Sequence, residues 1–218
     1  MKSLTHEYKT LKEPSTAIYK DKGSKFTAYA FETETEAEFK EKLEEIKKEH
    51  FKARHHCYAY IFGTDGTNFR YNDDGEPSGT AGIPIYNQIR SHELSNIGIV
   101  VVRYFGGVKL GVPGLINAYK NAAKDALDNA QIIIKYIEKK LVIEYSYDHT
   151  GEVMKVINSG DYQVIGNSFD PVPVLTVKVR ASKAEELKKL ILGTILKRDI
   201  SEISGSEHIN GFKISIHD

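Results

Sequence analysis

At 218 residues the chain is long enough for two small domains or one large one, and a hydrophobic content of 40% fills a real core. Lys+Arg and Asp+Glu both number 30, which excludes a uniformly basic, nonspecific grip on nucleic acid. The one cysteine, Cys57, excludes an intramolecular disulfide and a cysteine-cluster zinc site.

The start, MKSLTHEYKT, has no apolar segment, and no apolar run reaches membrane-spanning length. A cytoplasmic protein without membrane contact is expected. KFTAYAF, residues 25–31, reads as a strand. Residues 34–49 read as a helix, with Ala37, Phe39, Leu43 and Ile46 at helical spacing. The acids of this helix fit a solvated face. Residues 1–130 carry 18 basic and 18 acidic side chains, but 32–49 alone hold eight Glu and four Lys. Without that segment 14 bases face 10 acids, so a local basic patch remains open.

CYAYIF, preceded by RHH, and TNFRY are aromatic-rich runs joined by Gly63–Thr67, with Asp65-Gly66 at the tip. This is a hairpin signal. Adjacent strand residues face opposite ways, so His56 and Cys57 do not act together. His55 and Cys57 share a face, but two ligands fall short of a structural zinc site. Cys57 reads as a small core side chain.

DDGEPSGTAG follows. Asp73, Asp74 and Glu76 are candidate Mg²⁺ ligands, although Asp, Pro77 and Gly79 also build tight turns without a ligand. Residues 81–91 suit a short helix, with Ser78 or Thr80 as N-cap and Pro84 in the first turn. IGIVVVRYF, residues 97–105, is a buried strand, so Val100, Val101 and Val102 should all be covered. It leads through GGVKLGVPG into a helix with Ala118, Ala122, Ala123, Ala126 and Leu127 on one face. Arg103 and Lys109 supply charge beside Gly106, Gly107, Gly111 and Gly114. A helix starting near Pro113 offers free N–H groups, so these residues form a candidate anion- or RNA-binding site. Glycines that merely make a compact crossing are the alternative.

The second half restarts. IEKKLVIEYSY is a strand, HTGEVMKVINSG a helix closed by Gly160, and YQVIGNSF and VPVLTVKVRA strands. SKAEELKKLILGT is a helix with Ser182 as cap, and a last strand lies within 199–217. The order β-α-β-β-α-β is ferredoxin-like.

GSKFTAYA, ARHHCYAY, DDGEPSGTAGIPI and IGIVVVRYFGGVKLGVPGLINAYKNAA resemble the IMPACT family in its bacterial form, and Arg103–Gly111 is the most specific stretch. The resemblance implies an α+β chain. Residues 1–132 would form an IMPACT-type domain with the fold of ribosomal protein S5 domain 2. Residues 133–218 would form a ferredoxin-like domain resembling the fifth domain of elongation factor G. It implies an RNA- or ribosome-binding protein in translation regulation, with no cofactor required. An enzyme acting with Mg²⁺ on a phosphate-containing small molecule or nucleic acid is the alternative, although no catalytic residue is identified. A protein partner is a third possibility. DDGEPSGTAG and RYFGGVKLG are expected to lie side by side.

Overall fold

The computed structural model describes residues 6–160 and 162–217. It divides into two compact units, Glu7–Lys135 and a second made of Tyr136 onward with His6. The division falls after Lys135, within the strand Ile132–Tyr136 (β7), which pairs with Glu7–Leu11 (β1).

In the first unit, β2 (Ser15–Asp21), β3 (Ser24–Glu32), β4 (His55–Phe62), β5 (Asn68–Asn72) and β6 (Ile97–Tyr104) form a five-stranded sheet in the order β2-β3-β6-β4-β5. Every ladder in it is antiparallel. The helices are α1 (Glu36–Glu49), α2 (Gly82–Ser91) and α3 (Gly111–Asp128).

The sheet is covered on both sides. On one face Phe39, Leu43 and Ile46 of α1 pack with Phe31, Tyr60, Phe62, Val100 and Val102. On the other, Ile85 and Ile89 of α2 and the alanine face of α3 pack with Phe26, Cys57, Ile99 and Val101. β6 lies in the middle of this sandwich, which is why Ile97–Val102 is a continuous apolar run rather than an alternating one, with the charged Arg103 only near its end. Val100, Val101 and Val102 are all buried.

Two expected caps are replaced. Neither Ser78 nor Thr80 caps α2: its N-cap is Ala81, without a capping side chain of its own. The Thr80 hydroxyl instead donates to the Pro77 carbonyl at 2.6 Å. Ser182 lies inside its helix, which begins at Ala181. Pro84 and Pro113 do fall in first turns, where a missing N–H costs nothing.

The second unit runs β8 (Glu138–Tyr145), α4 (Thr150–Ser159), β9 (Gln163–Ser168), β10 (Val174–Arg180), α5 (Ala181–Leu196) and β11 (Phe212–His217). Its antiparallel sheet has the order β11-β8-β10-β9. Val153, Val156 and Ile157 of α4 and Leu187 and Ile191 of α5 bury Leu141, Ile143, Leu175 and Val177 of the sheet. Alternate residues of β8 and β10 are buried, as a sheet covered on one face requires.

Candidate functional site

The start of β4, the end of β6 and the start of β3 meet at one end of the first sheet: His55 is paired with Arg103, and Lys25 with Tyr104. Both singled-out loops return to this end.

The acidic loop is held by its own carboxylates. Asp73 accepts backbone N–H bonds from Gly79 at 2.9 Å, Ala81 at 3.0 Å and Gly82 at 2.8 Å. It is thus the acceptor that the start of α2 lacks locally, and its charge suits the positive end of that helix. The Asp74 carboxylate accepts from the His56 N–H at 2.6 Å. Its carbonyl lies 2.8 Å from His55 Nδ1, so that nitrogen carries the proton. The Glu76 carboxylate lies inward, 2.6 Å from the Arg103 guanidinium and 2.8 Å from the Tyr119 hydroxyl. Each of the three carboxylates is therefore engaged by its own partners, and they do not converge as an Mg²⁺ site. Among the described residues no group of three His, Cys, Asp or Glu side chains is placed to hold a metal ion.

Arg103 and Glu76 are only 7% and 4% exposed. Arg103 is therefore not the free phosphate ligand expected from its place in RYFGG. Its charge is already neutralised, and its second amino group reaches the Ser24 hydroxyl at 3.5 Å. The Cys57 thiol lies 3.3 Å from the Tyr119 hydroxyl and 3.0 Å from the Asp73 carbonyl. Burial pushes both the thiol and the phenol well above their ordinary pKa values. Both stay protonated at neutral pH, so neither is a ready nucleophile.

The glycine loop is strapped to the same framework. The Gly106 N–H donates to Ser24 Oγ at 3.1 Å. A Cβ on Gly106 would lie 1.9 Å from the Gly23 carbonyl carbon, so the two backbones touch where no side chain fits. Gly107 takes a φ of +88°, in the region that favours glycine. Gly111 stands at the first turn of α3, and a Cβ on Gly114 would crowd Leu110. Compact crossing thus accounts for these glycines. Lys109 is exposed on the loop.

Beside this framework opens a cavity of about 400 Å³ lined by Lys52, Arg54, His55, Arg103, Tyr104 and Phe105. Lys52 and Arg54 are exposed and form no ion pair among the described residues. Phe105 is 58% exposed, and the Arg103 guanidinium carbon lies 5.5 Å from its ring centre. Tyr104 is fixed from behind, its hydroxyl 3.0 Å from His50 Nδ1, while His50 Nε2 lies 2.5 Å from the Tyr29 hydroxyl.

Sequence reasoning brought the two loops together but missed Lys52, Arg54, Phe105, Tyr119 and Ser24. The signal for the first two was the surplus of bases outside the acidic helix. Ser24 and Tyr119 lie within quoted motifs, but nothing local marks them as polar partners.

The family model of the Impact N-terminal domain matches residues 22–127. The chain is 38% identical over 149 residues to IMPACT family member YvyE of Bacillus subtilis, covering 67% of each. It is 31% identical over 175 residues to IMPACT family member YigZ of Escherichia coli, covering 79% of this chain and 86% of that one. A solved crystal structure of a hypothetical protein superposes with a TM-score of 0.71 at 27% identity, over 98% of both chains.

Proposed function

Because the chain belongs to the IMPACT family, we propose that it is an RNA- or ribosome-binding protein of the cytoplasm that acts in translation regulation. The observation that carries this reading is the cavity of the first unit, which Lys52 and Arg54 line together with Tyr104 and Phe105. Cations beside exposed aromatic rings are the surface that a nucleic-acid strand needs, the first for phosphate and the second for bases. Lys109 and the backbone at Gly106 and Gly107 extend the site along the loop.

The wider architecture supports the same reading by analogy. The first unit is taken as a ribosomal protein S5 domain 2-like fold. The second, with sheet order β11-β8-β10-β9, is taken as ferredoxin-like. That pair resembles neighbouring domains of elongation factor G, which works on the ribosome. A neutral total charge suits a focused contact, and a protein partner on the ribosome is compatible with it.

The enzymatic alternative with Mg²⁺ has less support. The carboxylates it would need are engaged by backbone N–H groups, Arg103 and Tyr119.

The test is co-sedimentation with ribosomes and gel shift with RNA, comparing wild type with the double variant Lys52→Ala, Arg54→Ala. Charge-assisted contacts contribute about 1.5–3 kcal/mol each, so the double variant, losing two, should bind at least about a hundredfold more weakly. Both side chains are exposed, and stability should change by no more than about 0.5 kcal/mol per substitution. Undiminished binding by the double variant would remove the cavity from the account.

A further inference from the structure

We propose that the cavity takes one unpaired nucleotide of an RNA strand, its base stacked on Phe105 and its phosphate held by Lys52 and Arg54. This rests on the RNA-binding reading and narrows it to single-stranded segments.

Three observations carry it. The first is the mounting of Phe105. The residue before it, Tyr104, ends β6, and its hydroxyl is engaged by His50. The residue after it, Gly106, is clamped by the Ser24 hydroxyl and by contact with the Gly23 backbone. Phe105 is therefore a large apolar side chain kept 58% exposed by fixed backbone on both sides. A rigid ring standing in water is preorganised to receive a flat apolar face.

The second is the partition of charge. Arg103 lines the cavity but is compensated by Glu76, and its Nε is buried without a partner. Its guanidinium backs the Phe105 ring at 5.5 Å. The cavity's cations without an ion-pair partner among the described residues are Lys52 and Arg54, which line it from the turn between α1 and β4. Phosphate and base thus have separate places.

The third is size. A cavity of about 400 Å³ is in the range that holds one small ligand. A base inside a duplex is stacked on both faces and paired, and it offers no face to Phe105 unless it is first extruded. The cavity therefore selects an unpaired nucleotide.

The chain contains no tryptophan, so Phe105→Trp places a sole indole reporter at the stacking position. The full-length protein is titrated with a short single-stranded RNA and with the duplex of the same sequence. Anisotropy of labelled RNA gives affinity, and indole emission reports stacking. Wild type should bind the single strand at least tenfold more tightly than the duplex. Phe105→Leu should weaken single-strand binding about tenfold and leave duplex binding unchanged. The single strand, and not the duplex, should quench the indole of Phe105→Trp.

Equal affinity for strand and duplex overturns the inference. So does wild-type single-strand affinity in Phe105→Leu together with unquenched emission in Phe105→Trp. If Lys52→Ala, Arg54→Ala still weakens binding in that case, RNA binding at the cavity stands and only the stacking falls. If the double variant also binds as wild type, the broader reading fails with it.

Discussion

Glu76 is the residue on which the candidate site is built. It neutralises Arg103, accepts from Tyr119 and fixes the acidic loop against the end of β6. Removing one member of a buried pair leaves an uncompensated charge, which costs about 3–5 kcal/mol. Glu76→Gln should therefore lower unfolding stability by about that amount in urea denaturation. A variant as stable as wild type would mean that the pair is solvated. Arg103→Ala would unbalance Glu76 in the same way, so it is a poor probe of RNA contact, and Lys52 and Arg54 are better ones. His56 makes a pH prediction. Burial lowers its pKa from the ordinary 6.5, and Asp74 only partly opposes this. The unfolded chain then takes up a proton near pH 6.5 that the folded chain refuses. This contribution to stability is complete above about pH 6.5 and declines as pH falls from there toward the folded pKa. In His56→Gln that part of the decline should vanish, as pH-dependent urea midpoints will measure.

The elements around the site are held by long-range contacts, and this decides what was readable from sequence. β6 was legible because burial on both faces leaves a continuous apolar run, and α1 and α3 because their apolar stripes keep helical spacing. β1 and β7 were not seen, since each is short and pairs with a strand from the far end of the unit. β2 is an edge strand that alternates strictly in exposure, but its inward positions Ser15, Ala17 and Tyr19 are only partly buried while apolar Ile18 faces outward, so residue type does not follow the alternation. The cap of α2 was misplaced because it comes from Asp73, across a turn, where local rules look one residue back. Likewise Arg103 and Glu76 looked like two separate ligands, because a sequence shows two charges without showing that each is the other's partner. Two measurements test this level. Asp73→Ala removes the acceptor of three N–H groups and should cost about 2 kcal/mol, at the upper end for a lost cap. Val101→Asp places an unpaired charge in the central strand and should cost about 3–5 kcal/mol; near-normal stability would contradict its place between two helix layers.

For the whole molecule, neutrality conceals an arrangement. Within the first unit the acids are densest in residues 32–49 and in a loop whose carboxylates are engaged, while Lys52 and Arg54 line an aromatic-containing cavity. Among the described residues no helix is long and apolar enough to cross a membrane. The central claim is that this cavity holds RNA by its phosphates, and the salt dependence of affinity tests it most directly. Each phosphate contact with a single strand contributes about 0.7 to the slope of log affinity against log salt. Lys52→Ala, Arg54→Ala should bind RNA more weakly than wild type and with a slope shallower by about 1.4. Identical slopes and affinities for the two proteins across the salt range would contradict the account.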